Sequence, residues 1–191
     1  MSLKTADHLA FLRQSEIRNM SLECAKVSGI NLAQGICDTD VPEPVRVGAA
    51  QAMAAGANIY TRYDGLSPLR EAIAHKVERD SGLRVDPESE VVVTSGTTGA
   101  FYAACAGLFD RGDSVVLFEP YYGYHLDTLR ALSLEPSFVP LRAPSFDFRP
   151  EDLRAAIGPK TRAIVVNTPG NPSGKVFTRA ELEQILSLIH I

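Results

Sequence analysis

The sequence predicts an α/β protein: a mainly parallel, doubly wound sheet with flanking helices, incomplete at its carboxyl end. Three observations carry this reading. Residues 91–107, V-V-V-T-S-G-T-T-G-A-F-Y-A-A-C-A-G, have the pattern of a buried strand, a turn rich in Gly and hydroxyls, and a close-packed helix. From Ser114 onward strand-like and helix-like stretches alternate, the signature of right-handed β-α-β crossovers with helices on both faces of the sheet. Finally, three loops, residues 95–99, 119–124 and 167–174, fall at the carboxyl ends of predicted strands, where such sheets bind ligands.

In chain order, residues 5–28 show a helix-like pattern, with Ile17, Met20, Leu22 and Ala25 among polar neighbours and Gly29 placed to end it. Residues 30–35 form a short extended segment closing on Gly35, whose missing side chain lets another group approach its backbone. Pro42 and Pro44 precede a helix over about 45–55. Ser67 and Pro68 read as N-cap and first-turn residues of a helix that shows Leu69, Ile73 and Val77 on one face and ends at Gly82. Strands are expected at 114–118, 135–140 and 162–167, with helices ending near Leu132 and spanning 152–157. Thr178 and Glu181 form a capping box opening the last helix.

Composition narrows the classes. The 191 residues are 45% hydrophobic and 22% charged, so the chain is expected to be globular with one sizeable core. Nineteen basic and 23 acidic residues are interspersed, giving a net charge of -4 and no basic footprint for nucleic acid or an anionic membrane. Cys24, Cys37 and Cys105 are widely spaced and odd in number, which indicates neither a disulfide framework nor a zinc site and suits a reducing cytoplasm. No metal site is expected. The first residues lack the apolar stretch of a signal peptide, and no apolar run approaches the length of a membrane span.

The 95–99 turn joins a predicted strand to a predicted helix, so several backbone N–H groups face outward at the positive end of a helix dipole. That is a cradle for a phosphate. No Lys follows the last Gly as in a Walker loop, and G-x-G-x-x-G is absent. The other loop, N-T-P-G-N-P-S-G over 167–174, uses two Pro and two Gly to fix an unusual backbone holding Asn167 and Asn171 at the sheet's carboxyl edge. Each Asn offers both a donor and an acceptor.

Together S-G-T-T-G-A, the E-P-Y-Y loop, N-T-P-G-N-P-S-G and Y-T-R-Y-D-G-L-S-P-L-R resemble, in order from about Ile17 to about Ile185, the class I/II aminotransferases. These are fold type I enzymes dependent on pyridoxal 5'-phosphate (PLP). The resemblance implies that Gly96, Thr97 and Thr98 hold the cofactor phosphate, that Tyr122 stacks on the pyridine ring, and that Asn171 hydrogen-bonds its phenolic oxygen beside the substrate. Tyr121 and Tyr124, which flank Tyr122, compete with it for the stacking role. Tyr60, five residues before Gly65, matches a residue that reaches a neighbouring subunit's cofactor phosphate, which implies a homodimer; the alternative is a packed strand Tyr. Gly35 matches the glycine beside the substrate carboxylate and is equally explained as a turn. A cytoplasmic enzyme acting on an amino acid and a 2-oxo acid is the implied whole.

Departures from the family pattern are equally specific. The family's Schiff-base Lys, the Asp beside the pyridine nitrogen and the Arg that clamps the substrate carboxylate match positions beyond Ile191, so no catalytic residue is expected within the chain. Lys4, Lys26, Lys76, Lys160 and Lys175 are expected to be solvated. Cys37 stands where the family usually has Pro. The expected organisation is an amino-terminal arm over 1–44, part of a small domain, and a partial PLP-binding large domain over 45–191. On this reading the chain is an amino-terminal fragment, inactive alone, and its last residues, L-S-L-I-H-I over 186–191, stop mid-helix. Competing readings are a carbon-sulfur lyase, a cyclopropane-forming synthase, the effector domain of a PLP-binding regulator, and a non-PLP phosphate-binding α/β domain.

Overall fold

A strand buried on both faces explains the architecture. β1 (Ser114–Glu119) is buried at every residue but its last, and side chains alternate across a strand. Val116 and Phe118 therefore point to one face, where they pack with Val139, Phe148, Leu153, Phe177 and Ile185. On the other face Val115 and Leu117 pack with Cys105, Leu129 and Leu134. Two separate cores on one strand are what a doubly wound sheet requires.

The computed structural model describes residues 4, 6–12, 15–35 and 37–189. Its sheet has the order β2-β1-β3, with β2 (Glu135–Pro140) and β3 (Thr161–Val165) both parallel to β1. Helix α5 (Gly123–Ala131) links β1 to β2 and brings Leu129 to one core; α6 (Pro150–Ala156) links β2 to β3 and brings Leu153 to the other. α7 (Arg179–Ile189) follows β3, and its Ile185 joins the α6 face. The connections leaving β1 and β3 thus go to opposite faces, opening a crevice at the carboxyl ends of these two neighbours. β3 pairs on one side only among the described residues.

The chain folds as two compact units, Met1–Arg13 with Gly96–Ile191, and Gln14–Ser95. The first holds the sheet, α4 (Gly96–Leu108), α5, α6, α7 and a 3-10 turn at Asp7–Leu9. The second holds α1 (Glu16–Lys26), α2 (Glu43–Ala54) and α3 (Ser67–Ser81). The expected helix over 5–28 is therefore a 3-10 turn and α1, capped by the Ser15 hydroxyl accepting from the Arg18 N–H at 3.2 Å.

Three expectations need correction. Val91–Val93 is not a strand: no ladder partner lies beside it among the described residues, Val92 is exposed, and the Val93 N–H donates to the Asp64 carbonyl at 2.9 Å. An apolar β-branched run reads as a strand, but a ladder needs a neighbour. Ser67 is not the N-cap of α3; Leu66 is, and the Ser67 hydroxyl instead accepts from Arg70 at 3.2 Å. Lys175 is not solvated, as described below. The Gly82 stop and the capping box do form: Gly82 is left-handed at φ 72°, the Thr178 N–H donates to Glu181 Oε2 at 2.7 Å, and the Glu181 N–H to Thr178 Oγ1 at 3.3 Å.

Candidate functional site

The crevice between the ends of β1 and β3 is lined by Phe118, Pro120, Tyr122 and His125 from one side and Asn167, Gly170, Asn171 and Ser173 from the other. Its closed part measures about 20 Å³, room for about one water. A ring-sized ligand would need more wall than these residues supply.

Tyr122 is the N-cap residue of α5 and half-buried; its ring meets Tyr124 at 5.3 Å and His125 at 5.4 Å between centroids, both edge-on. The three neighbouring tyrosines separate by environment. Tyr121 stacks on Phe138 at 5.5 Å and packs against the Leu129 core, and Tyr124 is exposed and does not line the crevice. Tyr122 is the one that borders the crevice without being committed to a core.

His125 stands three residues after Tyr122, on the same side of α5, and its ring lies 4.4 Å from that of Phe101. Phe101 is one turn along α4 from Thr97, so this contact ties the amino-terminal part of α4 to the crevice. Gly96 opens α4 at φ +70° with nothing within 4 Å of where a Cβ would sit, and Thr97 and Thr98 are exposed. Neither Thr hydroxyl has a hydrogen-bond partner among the described residues. The start of a helix, two available hydroxyls and no obstructing side chain suit a phosphate.

Burial holds the His125 imidazole below its usual pKa. A depressed pKa in a base contributes stability that is fully present above the unfolded value and is lost as pH falls through the folded one. Stability is therefore expected to decline as pH drops below about 6.5. His125→Gln should flatten that decline, checked by urea midpoints at pH 7.5 and 5.5; equal slopes in both proteins would count against a buried neutral His125.

The Asn loop is held at both ends. The Gly170 N–H donates to the Lys175 carbonyl at 2.8 Å, the Gly174 N–H to the Gly170 carbonyl at 2.7 Å, and the Phe177 N–H to Thr168 Oγ1 at 3.1 Å. A Cβ on Gly170 would lie 2.7 Å from Ser173 Oγ, so a side chain there would push aside the hydroxyl that accepts the Lys175 N–H. The Lys175 side chain is 6% exposed and donates to Asp147 Oδ1 at 2.6 Å and Glu181 Oε1 at 2.7 Å. Burial opposes its charge, yet the bonds to Asp147 and Glu181 outweigh that and hold the ammonium above its usual pKa.

The structure brings Tyr122 and Asn171 to one crevice and leaves Asn171 exposed at its rim. Tyr60 and Gly35 belong to the other unit. Tyr60 is wholly exposed at 103% and lies outside any strand, and Gly35 is exposed with no atom within 4 Å of a built Cβ. Sequence reasoning missed His125 and the Lys175 cluster. The three-residue offset from Tyr122 was a signal for the first; for the second, Glu181 lies six residues from Lys175 but Asp147 lies 28 away, with no local signal. Among the described residues no cluster of His, Cys, Asp or Glu fits a metal ion, no helix is long and apolar enough to cross a membrane, and Cys24, Cys37 and Cys105 are free thiols.

Comparison with known proteins agrees with this fold. The family model for aminotransferase class I and II matches residues 27–190. A probable N-succinyldiaminopimelate aminotransferase of Mycobacterium tuberculosis is 37% identical over 171 residues, covering 88% of this chain and 43% of that protein. The methionine aminotransferase of Escherichia coli is 35% identical over 170 residues, covering 89% and 44%. Among solved structures, an Escherichia coli methionine aminotransferase superposes with a TM-score of 0.92 at 33% identity, covering 99% of this chain and 50% of that one. The aspartate aminotransferase of Thermus thermophilus gives 0.89 at 30%, covering 99% and 51%. The chain spans about half the length of these relatives. It belongs to the aminotransferase class I and II family.

Proposed function

We propose that the full-length protein is a PLP-dependent aminotransferase that moves an amino group from an amino acid to a 2-oxo acid. The observation that carries this is the β1/β3 crevice, which Tyr122 and Asn171 both line at the sheet's carboxyl edge, with the Phe101–His125 contact leading to the open start of α4. PLP, when bound, supplies an electron sink for the charge left as a substrate α-proton departs. In this reading Gly96, Thr97 and Thr98 bind its phosphate, Tyr122 offers an aromatic face that shields the ring from water, and Asn171 donates its amide to the phenolic oxygen. Asn171 and Gly35 border the substrate.

The same reading makes residues 1–44 part of a small domain and 45–191 part of a large one, places the enzyme in the cytoplasm, and has it act as a homodimer to which Tyr60 contributes across the interface. The exposure of Tyr60 supports that last point. Tyr60→Phe in the full-length protein is expected to weaken PLP binding about tenfold, the loss of one hydrogen bond to a charged group. Its urea midpoint should not move. Unchanged PLP affinity would remove Tyr60 from the site.

The deciding experiment is to load the full-length protein with PLP and follow conversion of a panel of amino acids with 2-oxoglutarate as acceptor. Oxo acid formed together with glutamate supports the proposal. Sulfide released from cysteine without an acceptor would point to a carbon-sulfur lyase, and a melting temperature raised by a nucleotide but not by PLP to a different phosphate ligand. The 191 residues alone are expected to bind PLP weakly and to catalyse no transamination.

A further inference from the structure

The Lys175 cluster does not line the crevice, and nothing in the proposed chemistry uses it. We infer that Lys175 is a positioning residue for Asn171, an inference that rests on the PLP reading above: with Asp147 and Glu181 it anchors the closed turn that carries Asn171 at the end of β3.

Three segments meet at its ammonium. Glu181 lies in the first turn of α7 and is itself fixed by the capping box with Thr178. Asp147 closes a turn in which the Arg142 N–H donates to its carbonyl at 2.9 Å and the Ser145 hydroxyl to its Oδ2 at 2.6 Å. The third segment is the Asn loop, and there Lys175 acts through its backbone: its carbonyl accepts the Gly170 N–H, and its own N–H donates to Ser173 Oγ at 3.2 Å. Asn171, Pro172 and Ser173 form the apex between Gly170 and Gly174, which are themselves joined. The residue that completes the turn is therefore the one whose side chain is clamped. The Lys175 ammonium also lies 5.7 Å from the centroid of Phe177, a ring embedded in the core with Phe118 and Phe148. The buried ammonium is held between the half-buried Glu181 carboxylate and the exposed Asp147 carboxylate, and moving it away would leave Glu181 without its counter-charge. An apolar residue of similar length would fill the space without fixing the carbonyl.

The test uses the full-length protein and two readouts. Lys175→Met should speed amide exchange at Gly170 and Gly174 at least about tenfold. With PLP bound it should also raise the pH midpoint of the cofactor's visible absorbance by about half a unit, the direction expected of Asn171→Ala, since a weaker donor leaves the phenolic oxygen less stable as an anion. Lys175→Arg should restore both, and in an Asn171→Ala background Lys175→Met should add nothing to the midpoint. Should Lys175→Met not fold, Asp147→Asn removes the exposed arm of the cluster and is expected to give both changes in smaller measure. Unaltered exchange, or a midpoint shift that persists without Asn171, overturns the inference. A wild-type protein without cofactor absorbance overturns the proposed function instead, and the exchange readout then decides the anchoring alone.

Discussion

Replacing Arg70 by alanine is expected to destabilise the Gln14–Ser95 unit by about 3–5 kcal/mol. Arg70 is 0% exposed, and its guanidinium joins segments distant in sequence. It donates to the Pro87 carbonyl at 2.7 Å, the Glu88 carbonyl at 3.3 Å and carboxylate at 2.8 Å, and Ser67 Oγ at 3.2 Å, with Asp64 Oδ2 at 3.5 Å. Truncation opens a cavity under α3 and takes a donor from the half-buried Pro87 carbonyl and a cation from beside the buried Asp64 carboxylate. Arg70→Lys should recover only part of the loss, because one ammonium cannot reproduce a forked set of donors. Urea unfolding checks both variants; a loss below about 1 kcal/mol for Arg70→Ala would show that the network is dispensable.

Gly65→Ala is expected to cost about 2–5 kcal/mol, from two causes that can be separated. Gly65 has φ +102°, a backbone conformation that residues with a Cβ rarely adopt. A Cβ there would also lie 2.5 Å from Val93 Cγ2 and 2.7 Å from Val93 Cβ. Val93 cannot swing aside easily, being stiff at χ1, and its own N–H is tied to the neighbouring Asp64 carbonyl. Adding Val93→Gly, which removes both Cγ2 and Cβ, should relieve the contact and leave the backbone strain, so the double variant should be more stable than the sum of the single losses predicts. Strict additivity would mean that the contact with Val93 is not the cause.

Much of this was legible because it is local. The capping box at Thr178 and Glu181, the left-handed stop at Gly82 and the extent of β2 depend on residues within a few positions of one another, and all three formed where their spacing implied. The crevice was legible for a topological reason: parallel strands joined by helices place their carboxyl-end loops on one edge, so E-P-Y-Y and N-T-P-G-N-P-S-G had to approach each other once the alternation was seen. What stayed hidden depends on partners far along the chain. Lys175 looked like any surface Lys because nothing nearby marked Asp147 as its acceptor. Ser67 looked like a cap because the buried guanidinium that claims its hydroxyl has its other acceptors at Pro87 and Glu88. Val91–Val93 carried strand propensity without a strand to lie against.

The sheet has two unlike borders, and this affects handling of the isolated polypeptide. β2 carries Pro136 and Pro140, which lack N–H groups and so make a poor template for another strand. β3, T-R-A-I-V, contains no proline and flanks an open aliphatic groove of about 580 Å³ formed with Ile157, Leu182, Ile185 and Ile189. Sticky on one border and blunt on the other, the sheet is extended more readily past β3 than past β2. Without a strand there, concentrated solutions of these 191 residues should self-associate through that border, and a charged or proline substitution on β3 should do more for their solubility than any change on β2.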